Sequence, residues 1–382
     1  MAVISFKCPN CDGELIFDPA TQKYKCEYCA SLFSQEELDA MKPAESAETS
    51  ADETEEPKEA QSQPTESQGA EKQEADNQSG SKEEPNEEQA EHGEAVTYTC
   101  PSCGAQIVTD ATTAATFCYY CHNPVVLSGR LEGKFLPNKV VPFSVTREEA
   151  EKGFADYINK KRFVPKAFYS KKQIESMTGV YFPYWVYDVE LEGKMQGDAR
   201  DIRVWRTGDI EYTETKHYQV TREGEVDLNY LTENALKKAN AKLANGLLPY
   251  RFDEMKSFQM GYLSGFLAER RDIERMDIEN EMQSQMRGYA ERLMRETISG
   301  YNSVTVQNAY FAPKEENWSY VLFPVWTLTY KAKSGRVYYY SMNGQTGKVC
   351  GELPINYIKT AAVSALVSAV VLVAGMIGGF LL

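Results

Sequence analysis

Eight of the nine cysteines fall into two sets with one spacing: Cys8-x2-Cys11 is followed after 14 residues by Cys26-x2-Cys29, and Cys100-x2-Cys103 after 14 residues by Cys118-x2-Cys121. A Cys-x-x-Cys pair places two sulfurs on one tight knuckle, and a hairpin that brings two knuckles together completes a tetrahedral site of four thiolates. The spacing therefore predicts two ribbons, residues 1–34 and 96–128, each holding one structural Zn2+. The expected ligands are Cys8, Cys11, Cys26 and Cys29 in the first, and Cys100, Cys103, Cys118 and Cys121 in the second. Four sulfurs close the coordination shell, so neither site keeps a position for a substrate or an activated water. Iron is the other ion such a set accepts. Disulfides are a poor reading, because no export signal opens the chain and cytosolic thiols stay reduced. A redox Cys-x-x-Cys would sit once, beside a βαβ pattern that is missing here. Each ribbon is too poor in apolar residues to fold alone, so metal removal is expected to melt both ribbons and spare residues 129–355.

Charge divides the chain further. The net charge of −15 splits into −3 over residues 1–43, −14 over 44–95, −1 over 96–128 and +3 over 129–382. The stretch 44–95 has 17 acidic residues and three lysines but no Val, Ile, Leu, Met, Phe, Tyr, Trp or Cys. With nothing beyond alanine to bury, it cannot offset chain entropy, and an acidic disordered linker is expected. Such a linker would let the first ribbon swing on a tether.

Residues 129–355 are expected to form an α+β domain with mostly antiparallel sheet. Thr146-Arg-Glu-Glu149 is a capping box ahead of Ala150, Phe154, Tyr157 and Ile158 at helical spacing. Strands are expected over 180–191, 304–311, 320–331 and 336–342, and a hairpin over 203–220 turning at Thr207-Gly208-Asp209. Helices are expected over 232–244 and 272–298, the second with Met276, Met282, Met286, Tyr289 and Leu293 as its core stripe. Asn343-Gly344 is a turn signal. Phe182-Pro-Tyr-Trp185 and Phe323-Pro-Val-Trp326 form a short repeat, which suggests two related halves that pack their tryptophans inward. Each proline would open its strand, where no ladder N–H is needed. Cys350 reads as a packing thiol at a strand end rather than an acylation site near the membrane.

Residues 360–382 carry no charge. As a helix they would reach about 34 Å, enough for a hydrocarbon core of about 30 Å. Tyr357 and Lys359 just before them suit an interfacial anchor. A Cys-Pro-Asn-Cys knuckle stands where the apolar part of a signal peptide would lie. The expectation is a single-pass cell-membrane protein inserted by its tail, with the N-terminal bulk cytoplasmic. Gly375 and Gly379 form a small-xxx-small pair on which two such helices could meet as a homodimer.

Binding of nucleic acid or of the transcription or replication machinery through the ribbons is the alternative function, and contact with nucleic acid needs a basic footprint. Ribbon one sets Lys7, Lys23 and Lys25 against Asp12, Glu14, Asp18 and Glu27, while ribbon two has Asp110 and no Lys or Arg. A basic run does occur at Lys160, Lys161, Arg162, Lys166, Lys171 and Lys172, interleaved with Phe163, Phe168 and Tyr169. A solvated helix end is its plain reading; contact with RNA or with anionic lipid headgroups is the functional one. Enzyme motifs fail on inspection. Asn343-Gly-Gln-Thr-Gly-Lys348 has Met342 where a phosphate loop needs Gly, and Val349 where it needs Ser or Thr. Of the histidines, His92 lies in the acidic stretch, His122 follows a knuckle, and His217 stands alone. No enzyme is expected, an unrecognised one within residues 129–355 being the remaining alternative.

The knuckles Cys8-Pro-Asn-Cys11, Cys100-Pro-Ser-Cys103 and Cys118-Tyr-Tyr-Cys121 occur together with Phe182-Pro-Tyr-Trp185, with Asn343-Gly-Gln-Thr-Gly-Lys348 leading to Gly351-Glu-Leu-Pro354, and with the apolar tail. In these features the chain resembles the bacterial transcription factor IIB-type zinc-ribbon-containing membrane proteins. The resemblance covers most of the chain apart from the linker, and implies zinc ribbons and a membrane anchor but no activity. Relatives are sometimes labelled replication-restart helicases, an activity this chain lacks the phosphate loop to support. The leading expectation is a zinc-binding, tail-anchored, non-enzymatic adaptor that recruits a protein partner through its ribbons.

Overall fold

The computed structural model describes residues 4–41, 96–239, 241–332 and 334–381. The acidic stretch 44–95, with His92, lies outside them. In ribbon one, β1 (Leu15–Asp18) pairs antiparallel with β2 (Lys23–Cys26), and β3 (Leu32–Phe33) joins β2. Burial alternates with period two, turning Leu15 and Phe17 inward from β1 and Tyr24 and Cys26 inward from β2. Asp18 closes the hairpin by accepting from the Ala20 N–H at 3.2 Å and the Thr21 hydroxyl at 2.7 Å. A short helix α1 (Gln35–Met41) follows, opened by reciprocal hydrogen bonds between Ser34 and Glu37.

In ribbon two, β4 (Val96–Thr99) and β5 (Gln106–Thr109) make a separate two-stranded sheet. The strands β6 (Thr113–Phe117) and β7 (Pro124–Val126) leave it, and through the pairing of Ala115 with Ala268 they enter a ten-stranded sheet. Ribbon two therefore shares a backbone ladder with the residues after 129.

Those later residues contain one arrangement twice. The first copy is β8 (Lys139–Val140), α2 (Arg147–Asn159), the short α3 (Lys171–Ile174), β9 (Thr178–Thr207) and β10 (Ile210–Asn234). After α4 (Ala241–Gly246) and β11 (Lys256–Ser257) comes the second: β12 (Leu267–Glu269), α5 (Arg275–Glu296), β13 (Ser303–Lys331) and β14 (Val337–Asn343). β15 (Val349–Gly351) and α6 (Tyr357–Leu381) follow. β9 and β13 run antiparallel with Phe182 opposite Phe323, so the two Phe-Pro-x-Trp motifs face each other across a local twofold. The neighbours obey it. β8 lies parallel to β13 with Val140 opposite Leu322, and β12 lies parallel to β9 with Ala268 opposite Tyr181. The Trp185 indole donates to the Ile273 carbonyl and the Trp326 indole to the Val145 carbonyl, each at 3.0 Å. Both helices open with a capping box, Thr146 with Glu149 and Glu274 with Asp277. Each copy lends a strand to the other's sheet edge, so neither closes its core alone.

Several sequence expectations change. The strands are continuous: β9 and β13 run for 30 and 29 residues, each about 100 Å long at about 3.3 Å per residue. The 203–220 hairpin is the tip of the β9–β10 pair, where Ile210 faces Thr207. Pro183 and Pro324 do not open strands. Each sits where the outer neighbour changes, from β12 to β10 on β9 and from β8 to β14 on β13, so its missing N–H leaves no ladder bond unmade. The helix expected over 232–244 shrinks to α4. β10 continues to Asn234, whose side chain then accepts from the Leu236 N–H and donates to the Leu236 carbonyl, a turn that stops both strand and helix. On α5 the buried stripe is Ile278, Met282, Met286, Ala290 and Met294; Met276, Tyr289 and Leu293 are exposed.

The sheet's two faces are both covered. Tyr181, Trp185, Tyr187 and Leu191 of β9 and Tyr320, Leu322, Trp326 and Leu328 of β13 face the cluster that includes Phe154 of α2 and the α5 stripe. Tyr184 and Val186, with Val321 and Phe323, face Ala244, Tyr250 and Val141 on the other side. α6 is long and apolar enough to cross a membrane over Tyr357–Met376. Residues 361–376 are exposed throughout, and the helix takes in Tyr357 and Lys359 as well as Gly375 and Gly379.

Candidate metal centres

All eight cysteines named by the spacing come together as two groups of four, in each of which the sulfurs lie within 4.8 Å of one another. In the first, Cys8 and Cys29 are 3.6 Å apart and Cys11 and Cys26 3.4 Å; in the second, Cys100 and Cys121, and Cys103 and Cys118, are each 3.7 Å apart. A tetrahedron of sulfurs at about 2.3 Å from a central ion has edges of about 3.8 Å, whereas a disulfide would need about 2.05 Å. The donor set and its spacing thus fit one tetrahedral ion in each group, two ions per chain.

The knuckles are repeated to the backbone. The N–H of the first cysteine of each pair donates to the carbonyl five residues on: Cys8 to Gly13, Cys26 to Ser31, Cys100 to Ala105 and Cys118 to Asn123. The residue after each pair donates back to that first cysteine. This turn needs a left-handed residue, found at Asp12, Ala30, Gly104 and His122 with φ of 59°, 57°, 73° and 60°. His122 is therefore a turn residue and no ligand. Four crowded thiols do not ionise together unaided. The Ser31 hydroxyl and then its backbone N–H bring Cys29 down to about 6. The Gly13 N–H pulls Cys11 down, but its sulfur neighbours outweigh it and push that thiol up to about 12. A divalent cation at the centre would let all four ionise.

The chain is similar to uncharacterized protein YdjG of Bacillus subtilis (strain 168), with 31% identity over 360 residues covering 94% of this chain and 93% of that one. The chain belongs to that protein's family. No protein-family model and no solved structure matches it.

Sequence reasoning missed how the two centres are joined. Glu14, three residues past Cys11, is buried between the ribbons. Its Oε1 accepts from Lys7 Nζ at 2.6 Å within ribbon one, and from Ser102 Oγ at 3.0 Å and Asn123 Nδ2 at 3.2 Å in ribbon two. Ser102 lies inside one knuckle of the second centre and Asn123 just after the other. One carboxylate thus ties ribbon one to both knuckles of ribbon two. No sequence signal marks it, since it stands among other acidic residues of a charged ribbon.

Ribbon one is also docked on the rest of the chain, so the expected swinging head is corrected. Ile4 and Val126 form a backbone bridge. The Phe17 N–H donates to the Ser264 carbonyl at 3.0 Å, and the Ser264 hydroxyl to the Leu15 carbonyl at 2.5 Å. Gln22 Nε2 donates to the Phe143 carbonyl at 2.7 Å. Gly261 lies so close under Tyr24 that a Cβ there would collide with the phenolic oxygen. Just past ribbon two, a buried arginine fastens its strands to the chain that follows. Arg130 donates to the Thr113 carbonyl at 2.8 Å and also to the Asp110 carbonyl and the Tyr98 hydroxyl, binding β4, β6 and the turn before β6 together.

The second knuckle of each centre presents tyrosine outward. Tyr28, Tyr119 and Tyr120, all inside second knuckles, are 79%, 68% and 72% exposed. Lys7, a cation of ribbon one, is engaged by Glu14.

Proposed function

We propose that this chain is a zinc-binding protein of the transcription factor IIB-type zinc-ribbon membrane class, anchored by α6, whose paired ribbons recruit a protein partner at the cytoplasmic face. The observation that carries the reading is the set of exposed tyrosines Tyr28, Tyr119 and Tyr120 on two centres tied together by Glu14. Large aromatic rings held on a rigid, metal-stiffened turn offer much contact area at little entropic cost, as protein interfaces favour. The four-thiolate sets would hold zinc as a closed structural site, which stiffens those turns and performs no chemistry. α6 would cross the bilayer, and Gly375 with Gly379 would offer a close-packing face to a second copy.

Binding of nucleic acid is less well supported. Ribbon two has no Lys or Arg, and in ribbon one Lys7 is held by Glu14, which leaves the exposed Lys23 and Lys25 set against Asp12, Asp18 and Glu27 in the charge balance. One cavity, of about 510 Å³ beneath β9 and β13, offers an enzymatic role little to work with. It is lined largely by apolar groups such as Val180, Phe182 and Leu243, and its Lys238 and Glu269 pair with each other at 2.9 Å.

The test is purification of the full chain in mild detergent, with elemental analysis and identification of cross-linked partners. Two zinc ions per chain are expected, with a partner that is lost on combined Tyr28→Ala, Tyr119→Ala and Tyr120→Ala substitution while the zinc remains. Nucleic acid retained at low salt and released by Cys100→Ser and Cys118→Ser would replace this reading.

A further inference from the structure

The basic run of residues 160–172 is distant in sequence from α6, but the fold brings them together. Asn356 stands immediately before α6 and caps it: its Oδ1 accepts from the Lys359 N–H at 3.1 Å and its carbonyl from the Thr360 N–H at 3.0 Å. The N–H of this same residue donates to the Phe163 carbonyl at 2.7 Å. The loop after α2 is thus pinned to the first turn of the apolar helix.

Around that junction the side chains form two kinds of surface. Lys160, Lys161, Arg162 and Lys171 are exposed on the loop side, and Lys359 on the helix side. Phe163, Ile355, Tyr357 and Ile358 are exposed beside them at 37%, 53%, 74% and 84%. Of the cations, Lys171 is paired with Glu175 at 3.8 Å, and Lys161 lies over the Tyr157 ring at 5.2 Å. Among the described residues no carboxylate pairs with Lys160, Arg162 or Lys359. The start of a long helix adds its own positive end to this cluster. Cations, a helix N-terminus and projecting aromatic and aliphatic side chains on the segments joined at Asn356 match a bilayer boundary, where phosphates lie just above the first methylenes.

We propose that Lys160, Lys161, Arg162 and Lys359 form a collar that binds anionic phospholipid headgroups in the leaflet where α6 begins. The inference rests on the reading of α6 as a membrane anchor. The collar sets the height of the folded body on the membrane and directs the chain to membranes rich in negative lipid. Each cation near such a surface strengthens attraction by about fivefold, and salt removes the effect.

The test uses the full chain reconstituted in mixed phosphatidylcholine and phosphatidylglycerol bilayers, with spin-labelled lipids reporting which species is held at the protein boundary. Wild type should select labelled phosphatidylglycerol over phosphatidylcholine by about fivefold or more. That preference should fall towards unity in about 1 M NaCl, where the screening length is about 3 Å, and in the combined Lys160→Gln, Lys161→Gln, Arg162→Gln variant. Lys359→Gln alone should lower it partially. A wild-type preference that is absent, or insensitive to salt, overturns the collar without reference to any variant. Loss of the preference to inorganic phosphate beyond a chloride control of equal ionic strength would assign the site to free anion and overturn it too. Carbonate extraction of wild-type membranes separates the two readings. Release of the protein would overturn the anchor and the collar together, whereas retention without lipid preference would overturn the collar alone.

Discussion

The two ribbons carry the same cysteine spacing, the same pair of knuckle turns and nearly the same sulfur separations, yet they are built into the molecule differently. Ribbon one keeps its own three-stranded sheet and is attached by the Ile4–Val126 bridge, the Ser264 bonds and the Glu14 carboxylate. Ribbon two gives β6 and β7 to the ten-stranded sheet, so its second knuckle is continuous with the body's ladder. A metal ion in ribbon one would therefore stabilise a docked module, and one in ribbon two an edge of the main sheet. Identical local chemistry has been given two different mechanical roles.

Loss of one sulfur should expose that difference most strongly. Cys118→Ser and Cys26→Ser should each cost one of the two metal ions, but only Cys118→Ser should carry the loss into the body. It should lower the main calorimetric transition by about 10 °C, against about 2 °C for Cys26→Ser. This modifies the simple expectation that metal removal spares residues 129–355. Equal shifts would show that the shared ladder does not couple ribbon two to the body.

Removing the link between the centres should be milder and confined to one side. Glu14→Ala takes the common acceptor from Lys7, Ser102 and Asn123. It should weaken docking of ribbon one by about 2–3 kcal/mol, since bonds to a charged group count for more than neutral ones. Amide exchange over β1 to β3 should quicken by about 30-fold or more, with β6 and β7 unchanged. Parallel loss of protection in both ribbons would mean that they open as a unit.

The smallest effect is one of pH. The hydrogen bond to Glu14 raises Lys7 above its ordinary 10.5. A raised lysine contributes stability that is present below 10.5 and lost as pH climbs through its folded value. Lys7 is 42% exposed at its side chain, so the contribution is small and screened. Exchange in ribbon one should rise modestly in alkaline solution before that of ribbon two, and Lys7→Gln should abolish the difference.

The elements legible in the sequence were those specified by a few adjacent residues. The cysteine knuckles, the Thr146–Glu149 capping box and the Gly208-Asp209 turn all depend on contacts within one or two turns of chain. The α5 stripe was misread because Met276, Tyr289 and Leu293 are as apolar as the residues that are buried. Only the helix's rotation against β9 and β10 selects Ile278, Met282, Met286, Ala290 and Met294. The 232–244 segment has helical composition, but pairing of β10 along β9 held its first part extended. The repeat was visible in the two Phe-Pro-x-Trp motifs, whereas their direct opposition across β9 and β13 is a matter of strand register.

The sequence alone determined the eight clustered cysteines, the apolar tail and the concentration of net negative charge in residues 44–95, because each depends on residue type and spacing. Tertiary structure alone decided that Glu14 joins the two centres, that ribbon two belongs to the main sheet, and that Phe163 meets the N-cap of α6. These are contacts between residues separated by about 90 to 190 positions. Such pairings leave no periodic trace in the chain, and only the packed geometry selects them from the many that its composition allows.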